Sequence, residues 1–333
     1  MDSEKWLMWF RRLALFGAIL AFGVVVLGAW VRLTNAGLGC PDWPGCYGHI
    51  YPQTGHPAGK AWHEMLHRYV ATTLGVMILT LLVWATLRRR DPKQPVIPVA
   101  LLFLVVCLQG ALGALTVTLL LKPLIVTAHL FGGLTTLSLL CWLSIVPQRR
   151  DPTASEVGLR AFAVAAFAVL CLQIFLGGWT STNYAAVACP DFPTCQRSWW
   201  PSMDFRDAFV LWRGLAIDYE GGVLANGARV AIHVTHRLGA VVTGCVLITL
   251  GLMTAARAQD LRLVRAGLLV AAAVVLQISI GIATVHFGVP LPVATMHNAG
   301  AALVVVSMVW LLRALWPAPP IGVVPLRRGD RTE

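Results

Sequence analysis

Eight long stretches of apolar residues divide the chain, and charged residues are concentrated between them. A helix needs about 20 apolar residues to cross a bilayer, and each stretch is long enough. The pattern therefore predicts an all-α integral membrane protein with eight transmembrane helices. We expect the spans at Leu13–Arg32, Ala61–Leu87, Val96–Thr118, Leu124–Val146, Ala161–Thr182, Val230–Ala255, Ala266–Phe287 and Pro292–Leu315.

The basic residues predict how these spans are oriented. They cluster before the first span, after the second, between the fourth and fifth, between the sixth and seventh, and in the tail. Because such residues collect in cytoplasmic segments, we expect both termini in the cytoplasm and the two long loops outside. These residues are Arg11, Arg12, Arg88, Arg89, Arg90, Lys93, Arg149, Arg150, Arg160, Arg257, Arg262, Arg265, Arg327, Arg328 and Arg331.

The composition agrees with a lipid environment. Hydrophobic residues make up 57% of the chain and charged residues 12%, which is too little polar surface for a soluble protein of this length. The net charge of +11 raises nucleic acid as a partner, but no basic face interleaved with aromatic residues is present. We therefore expect the lipid bilayer and no nucleic acid. The first span lacks a small-residue cleavage site, which favours a bacterial plasma membrane over an organelle.

Several motifs of the first half recur in the same order in the second, which indicates an internal duplication. We predict two four-helix halves, residues 1–150 and 151–320, and a cytoplasmic tail, 321–333. The second half carries about 20 additional residues near Ser198–Gly227, by comparison of the two copies. The paired motifs are CPDWPGC at Cys40–Cys46 with CPDFPTC at Cys189–Cys195, His67-Arg68 with His236-Arg237, and Gln109 before His129 with Gln277 before His297.

Each even-numbered span carries a histidine at a matching depth: His67, His129, His236 and His297. At 1.5 Å per residue all four lie roughly 10 Å below the outer surface, on parallel helices. A histidine in hydrocarbon needs a partner, and two facing imidazoles at equal depth suit a planar heme. We therefore predict two hemes, one between His67 and His129 and one between His236 and His297. A hydrogen bond to a neighbouring helix is the alternative for a single histidine.

Glu64 is the only carboxylate that we place within a span. It precedes His67 by three residues, so both side chains project from the same helix face, and it is a candidate proton donor or acceptor. We place Ala231 opposite it, so the two halves are expected to differ in chemistry. The alternative is a carboxylate at the mouth of the site, solvated or paired with Lys60 or Arg68.

The segment His63–His67 also fits H-E-x-x-H, the zinc metalloprotease motif. A third protein ligand is then expected, and the sequence offers no convincing carboxylate for it. The duplication retains the histidine at position 67 but not the glutamate. This pattern favours the heme interpretation over a single zinc site.

Four cysteines lie in the two outer loops, a compartment where disulfides form. We expect the pairs Cys40–Cys46 and Cys189–Cys195, with a structural or a redox-active role left open. Arg68 and Arg237 follow heme-facing histidines and point about 100° away from them. Contact with heme propionates or pairing with the loops is possible for both arginines.

Five segments together resemble the heme A synthases, and the resemblance covers nearly the whole chain. They are RLTNAGLGCPDWPGC at Arg32–Cys46, EMLHR at Glu64–Arg68, AHLFGGL at Ala128–Leu134, THRLGA at Thr235–Ala240 and MHNAGAAL at Met296–Leu303. The family converts heme O to heme A by oxidising the C8 methyl group to a formyl group, through two hydroxylations and loss of water.

The resemblance implies a role for each candidate residue. The substrate heme O would bind between His67 and His129, with Glu64 assisting catalysis, and a permanent heme b would bind between His236 and His297. The resemblance also implies a Cys40–Cys46 disulfide, a heme O synthase as pathway partner, and an electron acceptor that the sequence does not identify.

Two other functions fit the paired histidines. One is a diheme b-type membrane protein that transfers electrons, and the other is a heme transporter. The transporter gives Glu64 no chemical task.

Overall fold

The computed structural model describes residues 3–52, 58–91, 93–148 and 150–318. Expectations that concern His56, Arg149 and the tail 321–333, with Arg327, Arg328 and Arg331, lie outside these ranges. The helices in chain order are α1 Ser3–Leu33, α2 Ala58–Leu87, α3 Val96–Thr118, α4 Pro123–Ser144, α5 Ala154–Thr182, α6 Phe205–Ala208, α7 Asn226–Arg257, α8 Leu261–His286 and α9 Leu291–Leu315.

All of these helices except the four-residue α6 are long and apolar enough to cross a membrane. The described ranges contain no β-strand, and isolated bridges join Cys46 to His49 and Cys195 to Ser198 at the end of each cysteine loop. The prediction of an all-α integral membrane protein is therefore confirmed. Helix α3 begins and ends at the predicted residues. Which ends of the helices face the cytoplasm stays a prediction.

Three helices begin five or more residues earlier than the hydrophobic pattern predicted. Helices α1, α5 and α8 start at Ser3, Ala154 and Leu261, because polar residues extend each helix beyond its apolar stretch. The Thr153 hydroxyl accepts the Glu156 N–H and the Glu156 carboxylate accepts the Thr153 N–H, a capping box that starts a helix.

The longer helices correct one expectation about the acids. Glu4 and Glu156 also lie within helices, so Glu64 is not the only carboxylate in a spanning helix. Glu156 is buried and pairs with Arg150 at 2.7 Å. It lies at the end of α5 opposite to the cysteine loops.

The order of helix contacts is the same in the two halves. In the first half α1 contacts α2 and α4, and α3 contacts α2 and α4; in the second half α5 contacts α7 and α9, and α8 contacts α7 and α9. Helices α1 and α4 contact α9, and α4 also contacts α5. One hydrophobic core includes residues from all eight long helices, so the two halves form one packed body.

The α7–α8 contact depends on two glycines. A Cβ on Gly251 would lie 2.5 Å from the Gly267 carbonyl oxygen, and a Cβ on Gly267 would lie 2.4 Å from that of Gly251. Small residues allow helix backbones to approach closely in membranes. These glycines therefore set the distance between the two helices.

The long loop of the second half, residues 198–225, crosses to the first half. The Tyr219 N–H donates to the Leu120 carbonyl at 3.1 Å. The buried Lys122 donates to the Gly214 carbonyl and lies 3.4 Å from the centre of the Trp212 ring. The loop is thus anchored to the turn between α3 and α4, next to the helix that carries His129.

Candidate functional site

The structure brings the rings of His67 and His129 together between α2 and α4. Their ring centres are 6.3 Å apart and their planes meet at 64°. A metal between two imidazoles, with bonds of about 2 Å to each nitrogen, would place the ring centres at about this separation. The pair therefore fits an iron held between the two rings.

His236 and His297 form the corresponding pair between α7 and α9. They lie within range of electrostatic interaction with each other. All four histidines are partly exposed. Both pairs lie toward the end of the bundle that carries the cysteine loops, since each histidine is in the part of its helix nearest that end.

Each of the four rings lies against a glycine on a neighbouring helix. A Cβ on that glycine would come within 2.9–3.2 Å of the ring at His67, His236 and His297 and would crowd the imidazole, whereas at His129 it would lie in ordinary contact at 3.6 Å. The contacts are Gly28 with His67, Gly113 with His129, Gly177 with His236 and Gly281 with His297. We call these four residues the cradle glycines. They show that the two halves position their rings in the same way.

Glutamines contact three of the four histidines. The side-chain amides of Gln109, Gln173 and Gln277 donate to the backbone carbonyls of His129, His236 and His297 at 2.8, 3.0 and 2.9 Å. The spacing of Gln109 and Gln277 from their histidines was visible in the sequence, but Gln173 was missed. It lies 63 residues before His236 because the long loop separates α5 from α7. The signal that could have found it is a glutamine four residues before the cradle glycine.

Glu64 is buried and holds the first cysteine loop. One carboxylate oxygen accepts the Cys40 N–H at 2.9 Å, and the other accepts a hydrogen bond from Arg68. Arg68 also donates to the carbonyls of Asp42, Pro44 and Gly45. The pairing with Arg68 that was left open as an alternative is therefore present, and it fixes the direction of the carboxylate.

Arg237 repeats this contact in the second half. It donates to the carbonyls of Cys189, Asp191 and Thr194 at 3.0, 2.9 and 2.8 Å. Of the two alternatives for Arg68 and Arg237, pairing with the loops is the one present in these contacts. Each arginine ties a cysteine loop to a histidine helix.

The residue opposite Glu64 is His233, not Ala231 as expected. His233 precedes His236 by three residues, as Glu64 precedes His67. It is buried and contacts the backbone of Ala185. The expected chemical difference between the halves stands, since the second half has an imidazole where the first has a carboxylate.

The cysteine loops have one construction in both halves. Cys40 lies at bonding distance from Cys46, and Cys189 from Cys195. The Asp42 carboxylate accepts the N–H groups of Gly48 and Tyr47, and these hydrogen bonds, with that of Gly48 the strongest, lower the pKa of Asp42. In the second loop the Asp191 carboxylate accepts the N–H groups of Gln196 and Arg197.

The zinc interpretation gains no support from the side-chain positions. Within the part of the chain that the structure describes, no three His, Cys, Asp or Glu side chains converge as a metal ion requires. The His63 ring instead lies edge-on to Trp30, with ring centres 6.3 Å apart.

These features define a multi-pass membrane protein in which two similar groups of four helices each hold a pair of histidines. A family model described as cytochrome oxidase assembly protein, COX15-CtaA, matches residues 11–309. The chain belongs to this family.

Curated relatives extend the comparison. The chain is 38% identical to the heme A synthase of Shewanella oneidensis, over 93% of this chain and 97% of the relative. It is 28% identical to the heme A synthase of Halalkalibacterium halodurans, over 92% and 97%. It is 27% identical to that of Rhizorhabdus wittichii, over 88% and 90%. Eight apolar helices and bacterial relatives agree with the predicted position in the cell membrane.

Proposed function

We propose that the chain converts heme O to heme A by oxidising the C8 methyl group of the porphyrin to a formyl group. The observation that carries the proposal is the His67–His129 pair, whose ring centres are 6.3 Å apart. The helix that carries His67 also carries a buried carboxylate, Glu64, three residues before it. The whole-length similarity to heme A synthases supports the same activity.

The two histidine pairs take different hemes in this proposal. His67 and His129 bind the substrate, heme O, and His236 and His297 hold a resident heme b. When bound, heme b supplies an iron that accepts and passes on single electrons. The difference between Glu64 and His233 supports this division, since only the first half has an acid beside its histidine pair.

Glu64 acts on the substrate in the first half. Its two oxygens are fixed by the Cys40 N–H and by Arg68, so the carboxylate keeps one direction while substrate enters. It takes up a proton from the reacting group or stabilises a positive charge that develops there. Fixed charges of this kind need no reorganisation during the reaction.

The proposed partners follow from the reaction. Heme O reaches the site from a heme O synthase, and an electron acceptor removes the electrons of the oxidation. The lipid bilayer surrounds the eight helices.

Pigment analysis of the intact protein tests the proposal. The full chain is expressed in a bacterial host that makes heme O but has no heme A synthase, and extracted pigments are identified by chromatography and mass. We expect heme b together with heme A. Heme b alone would point to a diheme electron-transfer protein, and heme O without any heme A would point to a transporter; either result overturns the proposal.

A further inference from the structure

The glutamines near the histidines form a repeated arrangement, which we call the glutamine bracket. It consists of a glutamine on one helix, the backbone carbonyl of a histidine on the next helix, and the glycine three residues after that histidine. The three brackets are Gln109–His129–Gly132, Gln173–His236–Gly239 and Gln277–His297–Gly300.

The glycine is a necessary part of each bracket. A Cβ on Gly132, Gly239 or Gly300 would lie 2.2–2.3 Å from the glutamine side-chain oxygen, far inside contact distance. Any other residue would push the glutamine away from the histidine carbonyl. The glutamine and the glycine therefore occur together.

In the second half the bracket also reaches the imidazole. The Gln173 amide nitrogen lies 3.0 Å from His236 Nδ1, and that of Gln277 lies 3.5 Å from His297 Nε2. An amide nitrogen only donates, and the second nitrogen of an iron-bound imidazole carries its own N–H, so the hydrogen bond that holds each ligand in place is the one to the histidine carbonyl. Outer contacts that hold a metal ligand change metal affinity by about ten- to a hundredfold. Both histidines of the second half have this support.

His67 is the one candidate ligand without a bracket. The position four residues before its cradle glycine, Gly28, is Val24, and the position three residues after His67 is Val70. Neither valine side chain has a polar group. At His67 both the glutamine and the glycine of the bracket are thus replaced by valine, although Gly28 still lies against the ring.

We infer that the glutamines are positioning residues for the heme ligands and that His67 is the ligand that releases the substrate heme. This inference rests on the proposed function. A resident heme is retained best when both ligands are held in place, and both brackets of the second half provide this. A substrate heme has to enter and leave, and one ligand free to turn away lets it do so while His129 stays fixed.

The rate of heme release tests the inference directly. Full-length protein is purified with its hemes bound and mixed with excess apomyoglobin, and the heme b and the heme O or A remaining in the protein are followed over time. In the unchanged protein, heme O and heme A should leave faster than heme b. Equal rates, or faster loss of heme b, would overturn the inference.

Removing one bracket should affect one heme. Gln173→Met keeps the volume of the side chain and removes the amide, so we expect heme b release to become about ten- to a hundredfold faster, with heme O release unchanged. The electron paramagnetic resonance spectrum of ferric heme b should also shift, because the orientation of the His236 ring is no longer fixed. Gln148→Met, which removes a hydrogen bond to Asp260 distant from the histidines, is the matched control.

Installing the missing bracket gives the opposite test. Val24→Gln combined with Val70→Gly should slow release of heme O by a comparable factor and leave heme b unaffected. Should Val70→Gly prevent folding, the Gln173→Met result decides alone: unchanged heme b release and an unchanged spectrum would refute the positioning role.

The outcome is separable from that of the proposed function. Heme A formation in the unchanged protein tests the activity, whereas the release rates of the variants test the brackets. Heme A formation with release rates insensitive to the glutamines would reject the inference alone.

Discussion

Glu64 and His233 occupy the same position in the two halves, and they divide the molecule chemically. Each precedes a histidine of a facing pair by three residues and is buried. Glu64 is tied to the cysteine loop through the Cys40 N–H, whereas His233 contacts the Ala185 backbone. This exchange gives two similarly built sites a different charge and a different backbone contact.

Replacing Glu64 should abolish oxidation without removing the resident heme. In Glu64→Gln the side chain keeps its size but loses the charge that stabilises the reacting group, so we expect heme A formation to fall by at least about a hundredfold. Heme b content should stay unchanged in the extracted pigments.

Glu156→Gln is the control for this prediction, because Glu156 is also buried and paired with an arginine but lies at the opposite end of the bundle. It should retain heme A formation. Full activity of Glu64→Gln would remove Glu64 from the mechanism.

The sequence predicted the candidate residues better than their partners. The four histidines were selected by their matched depth on even-numbered spans, and the structure brings them together as two pairs. Their role as heme ligands stays a prediction. The contact of Glu64 with the Cys40 N–H was not predictable, because it depends on how a loop folds back 24 residues away.

At the scale of elements, the α7–α8 contact depends on glycine. Gly251→Ala would place its methyl group against the Gly267 carbonyl, so we expect a loss of about 1–3 kcal/mol in stability from overpacking. The measurement is the Tm of the detergent-solubilised protein.

Gly110→Ala is the matched control, since a Cβ there meets nothing within 4 Å. It should leave the Tm unchanged or raise it, because alanine favours a helix by about 1 kcal/mol over glycine. Equal responses of the two variants would contradict the packing explanation.

The long loop gives a second prediction at this scale. Lys122→Met removes the hydrogen bond to Gly214 and the contact with the half-exposed Trp212 ring, of which the latter is worth about 0.5–2 kcal/mol. The loop should then open more often, and trypsin should cleave at Arg213 about tenfold faster or more.

Lys60→Met serves as the comparison for Lys122. Lys60 also faces the loop, through Glu220 at 3.6 Å, but half of its side chain is exposed, and such pairs contribute little. Its cleavage rate should stay near that of the unchanged protein. Similar acceleration in both variants would refute the anchoring role of Lys122.

Helix ends were the least predictable elements. Hydrophobicity located the apolar part of each helix, and each of the eight predicted spans falls on one long apolar helix. The polar first turns of α1, α5 and α8 carry no such signal, although the Thr153–Glu156 capping box was a local indication of where α5 starts.

At the scale of the whole molecule, the orientation in the membrane is testable by labelling. If the arginine-rich end is cytoplasmic, a cysteine at position 215 in the long loop should react with an impermeant maleimide in intact cells. A cysteine at position 89, after α2, should react only after the cells are permeabilised. The variants are Leu215→Cys and Arg89→Cys, and the reverse pattern would invert the topology.

The loop anchored by Lys122 and Tyr219 makes the two halves of the chain depend on each other. The loop that contacts the turn between α3 and α4 belongs to the chain of the second half, and the first half has no loop of this length to offer in return. A protein cut between α4 and α5 and expressed as its first half alone would lack the loop of residues 198–225. After the duplication, neither half can take the place of the other.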